Sequence, residues 1–379
     1  MKKVCVLGST GSIGLQTLSV LKENDKLFSL VGISCHSNAD AIYKQVKEFK
    51  PKFVAINIIE KNHPLNRFCA KNNIILISGE NSSSTLALKV KADLVLNAIV
   101  GTSGLEPTIN IIKSGTDLAL SNKESLVLAG HIIMPLAKKN NVNIIPVDSE
   151  HSAIYQCMIG EKKDTIEKII LTGSGGPFLT RELSTFNSIL PEEALKHPNW
   201  DMGRKISIDS ATMMNKALEL IEAIWLFNIT FDKIDIVIHP QSIVHSMVYF
   251  KDGSYKAHLG VPDMRVPILY ALTFPNRSSN NVERLNFESL NLTFEKPDYK
   301  RYPILSLTEK LLMAGGNRVA VMSIANDYIV QQFLERKITF KEIFTKLVET
   351  VKKFENDKLP SVKELNTLDE NIRLYFESK

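Results

Sequence analysis

At 379 residues, with 44% hydrophobic and 23% charged side chains, the chain has apolar material for more than one core and a length that predicts two or three domains. Its 46 basic and 41 acidic residues leave a net charge of +5 spread along the chain, which excludes the dense basic patch of a nucleic-acid binder and suits small anionic ligands. Four scattered cysteines (Cys5, Cys35, Cys69, Cys157) exclude a disulfide framework and predict a reducing, cytoplasmic setting. No apolar run reaches the ~20 residues of a membrane span, and a strand pattern from residue 3 leaves no room for a signal peptide, so no membrane partner is expected.

In chain order, strand patterns fall at 3–7, 30–34, 53–56, 74–77, 94–98, 117–120 and 144–147, with helical patterns at 14–21, 39–49, 107–114 and 132–140. The serine-rich 81–85 reads as a loop. Buried strands alternating with helices predict an α/β fold, a Rossmann-like doubly wound parallel sheet over 1–148. The next segment changes character: a strand at 166–171, a polar stretch at 191–205, a helix at 211–227, and strands at 234–238, 246–250 and 255–259. The last two are joined through Asp252-Gly253, a hairpin signal. This predicts a central α+β domain over 149–278, a linker at 279–303, and a helical bundle over 304–379 with helices at 305–314, 318–335, 340–354 and 365–376.

Gly8-Ser9-Thr10-Gly11-Ser12-Ile13-Gly14 follows the first strand and opens the first helix. Glycines there allow a tight turn, and a helix N-terminus offers amides to a pyrophosphate. The spacing is G-x-x-G-x-x-G, which also fits a plain glycine-rich turn. Past the second strand stands His36-Ser37-Asn38, with no acid at the position that usually selects NAD; this favours NADP, against which Asp40 lies close by and no basic residue lies in the turn.

Asp148-Ser149-Glu150 follows the strand at 144–147. In extended chain, Asp148 and Glu150 point to one side, a hard-oxygen pair suited to Mg²⁺ or Mn²⁺. Two solvated or helix-capping acids fit the tripeptide equally well. On the predicted helix at 211–227, Asn215, Lys216 and Glu219 share a side, as a site or as a surface stripe; Ser210 near its start reads as a cap or a ligand group. Gly173-Ser174-Gly175-Gly176-Pro177 offers amides and a hydroxyl to a phosphate. Asn122-Lys123-Glu124 follows the strand at 117–120. The loop around His197, Trp200 and Met202 reads either as a lid over substrate or as a segment that tucks Trp200 into the core.

In this order, GSTGSIG, SNKES, PVDSEH, LTGSGGPF, HPNWDMGRKISIDSATMMNKALE, IHPQS and GVPDMR resemble the 1-deoxy-D-xylulose 5-phosphate reductoisomerase family along the whole chain. The resemblance implies a divalent metal (Mg²⁺ or Mn²⁺, with Co²⁺ as a further candidate) held by Asp148, Glu150 and Glu219. It implies substrate oxygens touched by Lys123 and Ser149. It assigns the phosphate to Ser174, Ser210, Asn215 and Lys216, with His197 in the same pocket, and a flexible lid at about 194–205 to Trp200 and Met202, with Met264 in a matching P-D-M segment. Thr10, Gly11, Ser12 and Ile13 match the pyrophosphate loop of an NADPH site, Asn122 and Glu124 its nicotinamide side, and Gly203 a lid contact. His36, Ser37 and Asn38 fall where the family often has glycine, a basic residue and asparagine, so the basic grip on the 2′-phosphate is absent here.

The implied reaction rearranges 1-deoxy-D-xylulose 5-phosphate and reduces the product with NADPH to 2-C-methyl-D-erythritol 4-phosphate, in a family that is usually homodimeric. Two other readings compete. A semialdehyde dehydrogenase needs a cysteine nucleophile, for which Cys157 lacks context. A cofactor-binding sensor is opposed by the full set of carboxylates and lysines.

Overall fold

The computed structural model describes residues 1–200 and 202–378. The chain divides into two compact units, the first made of Met1–Ser125, Ile133–Asp148 and Met264–Val282, the second of Leu126–Ile132, Ser149–Asp263 and Glu283–Lys379.

The first unit alternates β1 (Lys2–Leu7), α1 (Ser12–Glu23), β2 (Phe28–Cys35), α2 (Ala39–Phe49), β3 (Phe53–Ile56), α3 (Pro64–Lys71), β4 (Ile75–Ser78), α4 (Ser82–Lys89), β5 (Leu94–Asn97), α5 (Leu105–Lys113), β6 (Asp117–Leu120), α6 (Lys123–Asn140) and β7 (Ile144–Pro146). The strands form one seven-stranded sheet in the order β4-β3-β2-β1-β5-β6-β7, with every pairing parallel. Such a sheet is covered on both faces, which is why β1 carries Val4, Cys5, Val6 and Leu7 as an unbroken buried run. Reversal of strand order about β1 and β5 puts the C-terminal ends of these strands where doubly wound sheets bind ligands.

The second unit begins with α7 (Ser149–Met158), β8 (Ile166–Gly173), α8 (Pro191–Ala194), α9 (Arg204–Thr212), α10 (Met214–Phe227), β9 (Ile234–Ile238), β10 (Val244–Phe250) and β11 (Tyr255–Leu259). Its sheet runs β11-β10-β8-β9, antiparallel except for β8 with β9. The β10–β11 hairpin turns at Gly253, whose φ of +86° suits glycine, while Asp252 accepts from the Ser254 amide. Ile154 of α7 and Leu220 of α10 pack on Leu171 and Val248 of the sheet. The chain then passes through α11 (Arg265–Thr273), whose Ile268 and Leu269 belong to the core of the first unit. It ends in α12 (Pro303–Ala314), α13 (Arg318–Leu334), α14 (Phe340–Phe354) and α15 (Val362–Glu377). Capping boxes at Thr339/Glu342 and Ser361/Glu364 start the last two helices, each satisfying amides that helix starts leave unpaired.

Several local readings are corrected. The serine stretch expected as a loop is the start of α4, in which Leu86 and Ala87 are buried. The helix expected over 211–227 is two helices, α9 and α10, because Met213 turns left-handed at φ +63° between them. Ser210 therefore lies inside α9 and caps nothing. Glu150 is in the first turn of α7, not in extended chain. Segment 280–303 is mostly irregular, apart from a 3₁₀ turn at Phe287–Ser289 and an isolated bridge between Ile238 and Glu295.

The β1–α1 turn is sterically fixed. A Cβ on Gly14 would sit 2.2 Å from the Gly8 carbonyl oxygen, whereas one on Gly11 would sit 3.4 Å from the same atom. Gly14→Ala is therefore expected to lose more than about 2 kcal/mol of stability and Gly11→Ala less than about 1 kcal/mol, read from urea unfolding midpoints. Equal losses would refute this account of the turn.

Candidate active site

In the first unit, Gly8 takes φ +77° and has no room for a side chain against the Ala98 carbonyl, 2.6 Å from where its Cβ would be. Buried Ser9 anchors the turn, donating to Gln45 Oε1 at 2.7 Å. Thr10 and Ile13 are half-buried, and Gly11 and Ser12 are exposed at the start of α1. No side chain caps that helix and no acid lies in its first turn, so its amides and positive dipole end face outward. At the end of β2, His36, Ser37 and Asn38 are exposed. Asn38 Oδ1 accepts from the Ala41 amide at 3.1 Å as the N-cap of α2, leaving its amide group for a ligand. Asp40 is 3.2 Å from His63 Nε2.

The Asn122-Lys123-Glu124 turn is built more tightly than its sequence suggested. Asn122 caps α6 through the Ser125 amide, and the two hydrogens of its amide nitrogen are shared among the carbonyls of Ile99 at 2.8 Å and Gly101 at 2.9 Å and Glu124 Oε2 at 3.0 Å. A Cβ on Gly104 would stand 2.4 Å from the Asn122 side chain, so a glycine is required there. Lys123 is buried and donates to Asp148 Oδ2 at 2.5 Å, just past β7.

In the second unit a buried charge cluster forms where α7 meets α10. Lys216 Nζ donates to Glu150 Oε1 at 2.7 Å and also to Glu219. Asn215 donates to the other oxygen of Glu219, and Ser149 to Glu150. Glu150 and Glu219 present oxygens within 4.8 Å of each other, and Glu219 is wholly buried. Burial works against the Lys216 charge, but the two glutamates outweigh it and hold its pKa above the ordinary lysine value. Gly173 at the end of β8 makes room for this lysine: a Cβ there would lie 3.0 Å from Lys216 Cε.

Beside this cluster runs the glycine loop after β8. Gly176, at φ +67°, passes so close to α9 that a Cβ would lie 2.7 Å from the Ser210 carbonyl oxygen. Ser174 Oγ accepts from the Gly176 amide at 3.1 Å and lies 2.9 Å from His197 Nε2. His197 Nδ1 accepts from the amides of Asn199 and Trp200, at 3.2 and 3.0 Å. That ring is neutral with its proton on Nε2, since burial pushes its pKa down to about 4. Asn199 ties the same loop to Pro240 O at 2.6 Å and Ser242 Oγ at 2.9 Å. Trp200 is half-buried, 6.1 Å from the His245 ring. Met202 is half-buried and Gly203 caps α9; Asp201, inside the expected lid, lies outside the described residues. Met264 packs on the core of the first unit.

The second unit thus brings Ser149, Glu150, Ser174, His197, Ser210, Asn215, Lys216 and Glu219 into one region, and the first unit groups Lys123 with Asp148. Sequence reading missed the groups beneath them. Fully buried His151 donates from Nε2 to the Glu219 carbonyl at 3.0 Å, with Nδ1 3.8 Å from Glu222. Its place directly after the acid pair was the available signal.

A buried histidine gives a pH signature. His245 is 8% exposed, and burial, assisted by His258, pushes its pKa down to about 4. Its neutral form is favoured in the fold while the unfolded chain binds the proton from about pH 6.5 downward. Stability from this residue is present above that pH and is lost as pH falls toward 4. His245→Gln is expected to flatten the pH dependence of the urea midpoint by roughly 2 kcal/mol between pH 7 and 4; an unchanged slope would discount the residue.

Comparison with known proteins agrees across the chain. The family model for 1-deoxy-D-xylulose 5-phosphate reductoisomerase matches residues 4–130, the model for that enzyme's C-terminal domain residues 144–227, and a further DXP reductoisomerase C-terminal domain model residues 259–375. A 1-deoxy-D-xylulose 5-phosphate reductoisomerase from Clostridium tetani is 45% identical over 382 residues, covering 100% of both chains. Its counterpart from Chloroherpeton thalassium is 45% identical over 380 residues, covering 100% of this chain and 98% of its own. Among solved structures, a DOX-P reductoisomerase in complex with NADPH, fosmidomycin and magnesium superposes with a TM-score of 0.93 at 34% identity, over 100% of this chain and 98% of that one. The Zymomonas mobilis enzyme in complex with NADPH does so at 0.91 and 38%, with the same coverage.

Proposed function

The chain belongs to the 1-deoxy-D-xylulose 5-phosphate reductoisomerase family, and we propose that it rearranges 1-deoxy-D-xylulose 5-phosphate and reduces the product with NADPH, in the presence of a divalent metal, to 2-C-methyl-D-erythritol 4-phosphate of the non-mevalonate isoprenoid pathway. The observation that carries this reading is the buried cluster of Glu150, Glu219, Asn215 and Lys216 beside the Ser174–His197 pair.

The donor chemistry fits a hard cation. Glu150 and Glu219 offer oxygens at close range, Asp148 stands two residues before Glu150, and lysine ammoniums balance these acids. When bound, Mg²⁺ (Mn²⁺ and Co²⁺ being the alternatives) would be held by Asp148, Glu150 and Glu219 and would supply Lewis acidity to the keto and hydroxyl oxygens of the substrate. NADPH, whose pyrophosphate would lie on Thr10, Gly11, Ser12 and Ile13 at the α1 N-terminus, supplies the hydride. Asn122 and Glu124 border its nicotinamide side, and Gly203 adds a lid contact.

Lys123 and Ser149 donate to substrate oxygens on which negative charge develops while the carbon skeleton is cleaved and rejoined. Ser174, Ser210, Asn215 and Lys216 anchor the phosphate, and neutral His197 holds Ser174 in place. Binding energy gathered at this remote group orients the reacting end and closes Trp200 and Met202 over it. In this division residues 1–148 serve the cofactor, 149–278 the metal and substrate, and 304–379 form a helical domain after the linker 279–303. A homodimer in the cytoplasm follows the habit of the family. Four buried free cysteines and the exposed edge strand β11 accord with it, and no helix among the described residues is long and apolar enough to cross a membrane.

The direct test is NADPH oxidation with 1-deoxy-D-xylulose 5-phosphate, with and without Mg²⁺ or Mn²⁺, and identification of the product. Metal-dependent formation of methylerythritol phosphate is expected; folded, cofactor-binding protein with no turnover would overturn the proposal. Lys216→Ala is expected to raise KM and to lower kcat, with kcat/KM falling at least about 100-fold; an unaltered rate would remove the lysine from the mechanism. Without a basic residue at position 37, discrimination against NADH should be weak, and Ser37→Arg should raise the NADPH/NADH ratio of kcat/KM about tenfold through a new charge-assisted bond.

A further inference from the structure

Beneath the Lys123 turn of the first unit lie three wholly buried polar side chains outside the residues assigned above to substrate, metal and cofactor. They are Asn97 at the end of β5, Thr108 on α5 and Ser125 in the first turn of α6. Buried polar groups are costly unless every one is partnered. Here the partners run in one line. Asn97 Nδ2 donates to the Gly104 carbonyl at 3.0 Å and to Thr108 Oγ1 at 2.9 Å. Thr108 Oγ1 lies 3.1 Å from Ser125 Oγ, which in turn donates to Asn122 Oδ1.

The direction of every bond in this line follows from its two ends. Asn97 Oδ1 accepts from the Ile99 amide at 3.2 Å and Asn122 Oδ1 from the Ser125 amide at 3.0 Å, so backbone donors fix which way both carboxamides face. An amide oxygen cannot donate, so the one hydroxyl hydrogen of Ser125 goes to Asn122, and the bond between the hydroxyls takes its hydrogen from Thr108. The relay therefore runs one way, from Asn97 through Thr108 and Ser125 to Asn122, and a fully satisfied buried network of this kind rigidifies what it joins. What it joins are two loops. Asn97 grips the chain after β5 at the Ile99 amide and the Gly104 carbonyl, and Asn122 grips it at the carbonyls of Ile99 and Gly101. Lys123 is the next residue after Asn122, so its stem starts from backbone that the relay sets.

We propose that Asn97, Thr108 and Ser125 are positioning residues for Lys123: the relay locks the loop 98–104 to the turn 121–125 and so fixes where the Lys123 ammonium meets the substrate oxygens, which rests on the role of Lys123 in the proposed reaction. That role is exercised on charge that appears only in the transition state. Loosening the relay therefore costs turnover and not substrate affinity.

The test compares Thr108→Val, Thr108→Ser, Ser125→Ala and the Thr108→Val, Ser125→Ala pair in the full chain, by turnover with NADPH, Mg²⁺ and 1-deoxy-D-xylulose 5-phosphate and by amide hydrogen exchange without substrate. Thr108→Val and Ser125→Ala should each lower kcat about tenfold with KM for the substrate within about twofold of the wild type. Thr108→Ser keeps the hydroxyl and should restore kcat. A chain cut twice is no more broken than a chain cut once, so the pair should lose no more than the worse single variant. Exchange over 97–104 and 121–126 should quicken in Thr108→Val and stay at the wild-type rate in Thr108→Ser. Absence of turnover in the wild type overturns the reaction itself. With turnover present, the positioning role is overturned by a Thr108→Ser variant as slow as Thr108→Val, by a loss carried in KM, or by losses that multiply in the pair; unaltered exchange in Thr108→Val overturns the relay whatever the turnover.

Discussion

Everything assigned to the substrate side depends on one buried lysine. Lys216 lies on α10 with its ammonium between Glu150 and Glu219; Lys216 and Glu219 are almost wholly removed from water and Glu150 is part-buried. Removing such charges from water costs several kcal/mol each, so they persist only where partners are held in place. The fold supplies the holding: α7 starts at Ser149 so that Glu150 reaches Lys216, α10 sets Lys216 and Glu219 three residues apart on one face, and Gly173 leaves the lysine stem a passage. His151 and Asn215 fix Glu219 from backbone and carboxylate sides. Site and core are here the same construction.

The break at Met213 belongs to that construction. Had α9 and α10 been one straight helix, Ser210 and Lys216 would be six residues apart on it, more than one and a half turns, and would face different ways. A left-handed residue between them lets the end of α9 and the first turn of α10 both border the loop after β8. A methionine in that conformation carries a local cost of order 1–3 kcal/mol, of a kind that persists where surrounding packing over-determines it.

Much of the first unit was legible because its signals are local. Strand β3, helix α2 and strand β6 were read with their boundaries intact, the strands as short apolar runs and the helix by its period and its Asn38 cap. The Gly8–Gly14 turn was legible since Gly11 and Gly14 answer to Gly8 and Ser9 within the same few residues, although Gly8 itself answers to Ala98. The hairpin at Gly253 and the helices near the C-terminus followed from turn chemistry and period. What failed depended on distant chain. Nothing within 81–85 announces that Leu86 and Ala87 will be buried and draw the serines into α4. Nothing within 211–227 announces Met213. The assignment of α11 to the first core lies in packing alone, with its Leu272 carbonyl accepting from Lys2 across 270 residues of chain. At the site, residue types were legible and their neutralising partners were not, because Lys123–Asp148 and Lys216–Glu150 are contacts across 25 and 66 residues.

The Ser174 hydroxyl shows what these partners do for chemistry. Its oxygen receives two hydrogens, one from the Gly176 amide and one from the neutral His197 ring. An sp³ hydroxyl oxygen has two lone pairs, so both are now occupied. The hydroxyl's own hydrogen has no acceptor role left to compete with and is free to point in a single remaining direction. A serine in free solution rotates among donors and acceptors; this one is a one-way donor, oriented before any anion arrives. An acceptor oxygen brought to this hydroxyl would find its proton already aimed, without the entropy of sorting rotamers.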